Sequence, residues 1–196
     1  MTTTNARGAA GREPVSRRDF LAASGKTALG AAMVCGAGTL VVPSQGWGME
    51  LKALAPRTMA TLIQMARDIY PHDRVADRYY AKAVKGFDEK SAEDEALHRM
   101  IEESAKDLDA RSVARLSELG LSGEEGEGGY LDLGWEEDRV RVLRDIEDTE
   151  LFQTIRGSLV VGLYNQKAIW PLFGYEGASA HLGGYLERGF DDIDWV

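Results

Sequence analysis

The side chains in this sequence that are able to move protons or ligate metal are few and scattered. The three histidines, His72, His98 and His181, fall in separate segments. Glu95-Ala96-Leu97-His98 has the E-x-x-H spacing that places a carboxylate and an imidazole on one helical face, half of a di-iron bundle site. The other half needs a second copy, but Ile69 stands three residues before His72 and Ala178 three before His181. Glu95 and His98 therefore read more simply as a solvated helix face. Tyr70-Pro71-His72-Asp73 sets an imidazole beside a carboxylate, as an acid–base pair requires; the plainer reading is that Pro71 stops a helix and Asp73 braces the turn. Gly177-Ala178-Ser179 is a loop fragment without a nucleophile elbow, and Asp191-Asp192-Ile193-Asp194 lacks the spacing and glycine of a calcium loop. No glycine-rich dinucleotide fingerprint and no phosphate-binding loop occurs. The sequence thus assigns no catalytic, cofactor-binding or metal-ligating residue to this chain.

The most specific pattern lies near the start. Ser16-Arg17-Arg18-Asp19-Phe20-Leu21 leads into a weakly apolar segment, the arrangement of a twin-arginine (Tat) export signal, with Ser16, Arg17, Arg18, Phe20 and Leu21 as its targeting residues. The Tat route moves proteins that have already folded, so a chain using it carries a cofactor or is bound to a partner that does. The uncharged run from Thr27 to Val42 is shorter than the roughly 20 residues needed to span a bilayer. Glycines 25, 30, 36 and 38 dilute it, which suits Tat better than the unfolded-chain Sec route. Cleavage is expected near Ser44-Gln45-Gly46, which makes residues 1–46 leader and linker and residues 47–196 the body. Cys35, the only cysteine, lies in the leader, so the body has no thiol for a disulfide, an iron–sulfur cluster, cysteine-ligated zinc or c-type haem.

Charge is divided between the two parts. Of the formal −9, the body carries 18 basic against 30 acidic residues, a balance of −12. So acidic a surface repels nucleic acid and anionic lipid, which excludes both as partners.

The body reads as all-α, a small helical bundle over about 56–166 followed by an irregular tail over about 167–196. Met59, Leu62, Ile63, Ala66, Ile69 and Tyr70 recur at three- and four-residue steps between Pro56 and Pro71. A second helix is expected over about Asp77–Lys85, closed by Gly86 and Phe87. Ser91 with Asp94 reads as the cap of a third, which buries Leu97, Met100, Ile101, Ala105, Leu108, Ser112 and Leu116 and ends near Glu118. After an acidic, glycine-rich break at Gly120–Gly134, helices are expected over Trp135–Ile146 and Leu151–Tyr164, the latter the most buried in character. No alternating strand pattern is visible. Seven of the 16 aromatic residues lie in the last 33 positions, among glycines too dense for a helix. Large rings on irregular backbone need a surface to lie on, either their own bundle or a partner.

The chain resembles the gluconate 2-dehydrogenase subunit 3 family, the small subunits of periplasmic flavin-dependent sugar and sugar-acid dehydrogenases. The features that carry this resemblance, in order, are the Ser16-Arg17-Arg18 leader; Ile69-Tyr70-Pro71-His72-Asp73 with Asp77 and Tyr80 after it; Leu163-Tyr164; and the tail from Gly174-Tyr175-Glu176-Gly177 through Gly183-Gly184-Tyr185 to Trp195. Ala22, where a lysine often stands, and the acidic insert depart from the pattern. The resemblance implies a non-catalytic subunit that binds a leaderless flavoprotein of the glucose-methanol-choline type, helps it mature and carries it to the Tat translocase. FAD would then sit on that partner, and haem c on a possible third, cytochrome subunit. The complex would lie in the periplasm against the outer face of the inner membrane. Tyr70, His72, Asp73, Tyr80, Tyr175, Tyr185, Phe190 and Trp195 are the expected partner contacts. The competing expectation is a stand-alone periplasmic enzyme or metal-binding protein built on His72, Asp73, Glu95, His98 or His181.

Overall fold

A computed structural model describes residues 33–34, 39–42, 47–121 and 128–186. Over these residues the chain is an all-α bundle of five helices: α1 (Pro56–Ile69), α2 (Asp77–Ser91), α3 (Glu95–Glu118), α4 (Glu136–Arg144) and α5 (Glu150–Gly162). Three 3-10 turns, Tyr130–Asp132, Trp170–Phe173 and Ser179–Leu182, complete the body. The targeting residues Ser16, Arg17, Arg18, Phe20 and Leu21, the tail residues Phe190 and Trp195, and most of the acidic insert lie outside the described residues. Among the described residues no helix is long and apolar enough to cross a membrane.

Contrary to the sequence expectation, the structure also contains strands. β1 (Met33–Val34), β2 (Thr39–Val42) and β3 (Trp47–Glu50) form an antiparallel sheet in the order β1-β2-β3. Segments of two to four residues are too short to display a two-residue period, so pairing rather than pattern defines them.

α1 is the centre of the bundle and touches all four other helices. Met59, Leu62, Ile63 and Ala66 are sealed from water, as the periodicity predicts; Met65, outside that pattern, is sealed too, and Ile69 and Tyr70 within it are only half-buried. Its polar stripe, Thr58, Thr61, Gln64 and Asp68, is buried as well: Glu102 of α3 meets Thr58, Arg139 of α4 meets Asp68, and Gln64 turns to Asp68 on the same helix. The most buried helix is therefore α1. It is not α5, which sequesters Leu151, Ile155 and Leu159 but leaves Val160 and Val161 54% and 65% exposed. α5 does approach α2 closely at Gly162, where a Cβ would stand 3.1 Å from the Ala83 carbonyl oxygen.

Helix ends follow side-chain chemistry that the sequence only partly reveals. The Ala55 N–H, just ahead of α1, donates to Glu102 of α3 at 2.8 Å, and the second oxygen of Glu102 accepts from the Thr58 hydroxyl at 2.7 Å. Pro71 stops the helix, as expected. α2 runs past Gly86 to Ser91, beyond the expected end at Lys85. Phe87 and Asp88 are both buried in that extra stretch, which outweighs the cost of a helical glycine, about 1 kcal/mol. Consequently Ser91 ends α2 instead of capping α3. Asp94 is the cap, its Oδ1 accepting from the N–H groups of Ala96 and Leu97 at 2.9 and 3.0 Å.

Candidate functional site

At one end of the bundle the chain leaves α1 at Tyr70, turns through Pro71 and His72, and re-enters helix at Asp77. Arg67 staples this turn: its Nη1 donates to the Val75 carbonyl at 3.0 Å and to Asp77 at 2.7 Å. Asp73, the brace expected from sequence, is exposed instead. Beneath the turn, the Tyr80 hydroxyl donates to the Tyr70 carbonyl at 2.7 Å. Tyr80 is completely buried, and burial pushes its phenol up to about 12, so it remains a neutral donor. Tyr80 is thus an interior support for the turn. That corrects its expected role as a contact made directly with a partner.

The end of α5 and the tail close over the same turn. His72 Nε2 and the Tyr164 hydroxyl are 2.7 Å apart, and the Phe173 ring stands edge-on to both residues. Tyr70 meets Tyr164 edge to face, with ring centres 5.7 Å apart. Burial, then the positive charge of Arg67, lowers the pKa of His72 against a smaller opposing pull from Asp73. The neutral imidazole is thereby favoured, and its Nε2 is able to accept the tyrosine proton. Burial, then Tyr70, raises the pKa of Tyr164, which keeps that hydroxyl a donor.

Trp170 organises the tail. Its Nε1 donates to the Tyr164 carbonyl at 2.8 Å, its carbonyl accepts from the Tyr175 N–H at 3.0 Å, and its ring meets the Tyr175 ring edge-on. Gly174, at φ +70°, makes the left-handed turn that brings Tyr175 back toward Trp170. Beyond this point the tail presents apolar groups to water: Phe173, Tyr175 and Leu182 are about half exposed, Tyr185 is 59% exposed and Leu186 88%.

Three separate stretches, Tyr70–Asp77, Leu163–Tyr164 and Trp170–Gly177, therefore meet on one face. Of the residues expected at a partner contact, Tyr70, His72, Asp73 and Tyr175 are at this end at least partly open to water; Tyr185 follows in the tail. Sequence reasoning missed Trp170 and Phe173 as members of the site. Their signal is the run Trp170-Pro171-Leu172-Phe173 directly after a helix, which fixes two rings in one tight turn. A groove of about 600 Å³ adjoins Tyr70 between the end of α1, α4 and α5. Phe152 and Leu143 line it along with the exposed Arg144, Arg156, Glu147 and Asp148, and this mixture of apolar and oppositely charged groups resembles the rim of a protein contact.

The histidines and carboxylates weighed as ligands are not assembled. Glu95 is spent on an exposed pair with Arg99 at 3.0 Å on α3, where His98 also lies, while His72 and His181 belong to other segments. Among the described residues, no group of three or more histidine, cysteine or carboxylate side chains is placed to hold a metal ion.

One polar cluster deep in the bundle had no clear announcement in sequence. Asp68 Oδ2 accepts from Arg139 Nε at 2.8 Å and from the Tyr130 hydroxyl at 2.7 Å, and Gln64 Nε2 donates to the same carboxylate. Arg139 also donates to the Leu133 carbonyl at 2.8 Å. Burial, then the adjacent Asp68 charge, drives the Tyr130 phenol well above its ordinary pKa. The cluster ties α1 to α4 and the Tyr130–Asp132 turn, and its one acceptor without a hydrogen bond among the described residues is the buried Oε1 of Gln64.

No family model matches this chain, and no curated protein or solved structure shows significant similarity to it.

Proposed function

We propose that this chain is a non-catalytic small subunit that binds a flavin-dependent dehydrogenase of the glucose-methanol-choline type, supports its maturation and escorts it through the Tat route to the periplasm. The observation that carries this reading is the presence, on one chain, of the Ser16–Leu21 export pattern and a half-exposed aromatic face built from Tyr70, His72, Phe173 and Tyr175. An export route for folded proteins suits a chain whose cofactor belongs to its passenger, and large rings with polar tips are the groups that anchor protein interfaces. In this reading FAD sits on the passenger, haem c on a cytochrome subunit where one is present, and the complex rests on the outer face of the inner membrane. The substrate pocket belongs to the passenger, so substrate choice is not encoded here.

The test is to replace Arg17 and Arg18 together with lysine. Charge is preserved while the receptor-read pattern is lost, so both this chain and the flavoprotein should accumulate in the cytoplasm. Undiminished periplasmic dehydrogenase activity in the double variant would sink the proposal.

A further inference from the structure

The groove beside Tyr70, between the end of α1, α4 and α5, carries four exposed charges that the described fold does not use. Arg57, Arg67, Arg99, Arg111, Arg115 and Arg139 each meet a carboxylate within 3.1 Å. Arg144 and Arg156, together with Glu147 and Asp148, make no ion pair or side-chain hydrogen bond among the described residues. Two unpaired guanidinium groups are thus set beside Leu143 and Phe152, with two unpaired carboxylates in the same lining. A segment that fits this groove supplies carboxylates, a cation and large apolar groups on one short stretch of backbone.

The chain itself contains such a stretch. Glu187-Arg188-Gly189-Phe190-Asp191-Asp192-Ile193-Asp194-Trp195 follows the last described residue, Leu186, and combines Arg188 with three aspartates and with Phe190, Ile193 and Trp195. The other stretches outside the described residues lack this combination. Residues 1–32 carry more basic than acidic groups, residues 35–38 and 43–46 carry no charge, and residues 122–127 carry charge without an apolar side chain. The tail also starts from the end of the bundle where the groove lies. Tyr70, in the groove lining, meets Tyr164, whose carbonyl accepts from the Trp170 indole at 2.8 Å. Gly177 lies against the same indole, where a Cβ would stand 3.5 Å from the ring. The Gly184 N–H then returns to the Ser179 carbonyl at 2.8 Å, which keeps the chain compact as far as Tyr185. From Leu186, 88% exposed, residues 187–196 are able to reach about 33 Å when extended.

We propose that residues 187–196 dock into this groove of their own chain. The aspartates face Arg144 and Arg156, Arg188 faces Glu147 and Asp148, and the Phe190 and Trp195 rings lie on Leu143 and Phe152. A tethered ligand is present at high effective concentration, so modest contacts are enough to seat it. The tail is then held at both ends, by Trp170 and by the groove, and displays Tyr185 and Leu186 between them. Phe190 and Trp195 are withdrawn from the partner contact expected of them and become part of the subunit's own surface. The proposal rests on the charges and packing of this chain and not on the escort reading.

Nuclear magnetic resonance on the full chain tests it. A nitroxide attached to Val196→Cys, in a Cys35→Ser background, should broaden the amide signals of Leu143, Arg144, Phe152 and Arg156. The signal of Glu102, which meets the opposite end of α1, should be affected much less. When nitroxide and isotope label are placed on different molecules and mixed, the broadening should be absent. Broadening in that mixture assigns the groove to a second copy and overturns the proposal, as does no broadening in either sample. Arg144→Glu with Arg156→Glu should abolish the broadening, and adding Asp191→Arg with Asp192→Arg should restore it. Both arginines are exposed, so unchanged shifts elsewhere in the spectrum confirm an intact bundle. Broadening that survives the first exchange, or that the second fails to restore, also overturns the proposal.

Discussion

Asp68 and Tyr70 sit two residues apart at the end of α1 and face different kinds of surroundings. Around Asp68, with its side chain 2% exposed, Arg139, Tyr130 and Gln64 converge and water is excluded. Around Tyr70, Tyr164, His72 and Phe173 form an edge-to-face set that water still reaches, joined by the single His72–Tyr164 hydrogen bond. The first arrangement fixes one packing of the bundle, because a buried charge that loses its partner has no alternative. The second tolerates adjustment: rings slide at small cost, and their exposed edges are free to meet another surface. One end of the same helix therefore holds the fold together, while the turn beyond it leaves ring edges open to water, where the proposed partner would bind.

The largest expected effect probes that contrast from the buried side. Arg139→Ala leaves Asp68 charged in the interior and should cost about 3–5 kcal/mol in denaturant unfolding. Replacing the pair together, Asp68→Leu with Arg139→Met, should recover only part of the loss: the unpaired charge is gone, but the Tyr130 hydroxyl, Gln64 Nε2 and the Leu133 carbonyl lose their partners. A loss of under about 1 kcal/mol for Arg139→Ala, the value of an exposed pair, would erase the distinction between the two regions.

From the exposed side, deleting residues 183–196 removes Tyr185 and Leu186 with the rest of the tail end. Helix content by circular dichroism should be unchanged, while affinity for the flavoprotein should fall by about 2 kcal/mol or more, the weight of one good aromatic anchor. A collapse of helix content would show that the tail belongs to the core, making the two regions alike. Intact helix with intact binding would move the contact elsewhere, for example to the turn at Tyr70–Asp73.

A smaller effect is expected at the hydrogen bond within the aromatic end. Tyr164→Phe keeps the ring and removes the hydroxyl that His72 meets at 2.7 Å, and should cost about 1 kcal/mol in unfolding. A cost comparable to that of Arg139→Ala would mean that this end is as rigidly specified as the interior.

The smallest effect is one of pH. His72 titrates below its ordinary value in the folded protein, so the unfolded chain binds the proton more readily. The stability it contributes is complete above about pH 6.5 and is lost as pH falls from there toward the depressed folded value. His72→Gln should remove that dependence, so a pH profile of stability identical in the two proteins would refute the assignment.

Local sequence determined the outline of this fold. Apolar residues at helical spacing in α1 and α3 name most of the side chains that become buried, although Met65 falls outside the pattern and Ile69, Tyr70, Leu97 and Met100 stay half-buried. Pro71 ends α1 because its ring excludes helical backbone before it. Through Leu186 the tail has no α-helix, as its glycine density predicts, and Gly174 is used for a left-handed turn. Tertiary structure decided the rest, through partners that lie far apart in the chain. α2 continues through Gly86 because the residues beyond it are buried, and this displaces the cap of α3 from Ser91 to Asp94. Tyr80, an aromatic next to a motif, looks like a contact residue, yet it is an interior post because the 70–76 turn folds over it. Asp68 and Arg139 are 71 positions apart, and Asp88 reaches back 34 to 36 residues to hold the segment behind β3. Periodicity shows which face of an element is turned inward. What that face meets depends on how the elements pack, and hydrogen bonds between distant residues leave no local trace in sequence.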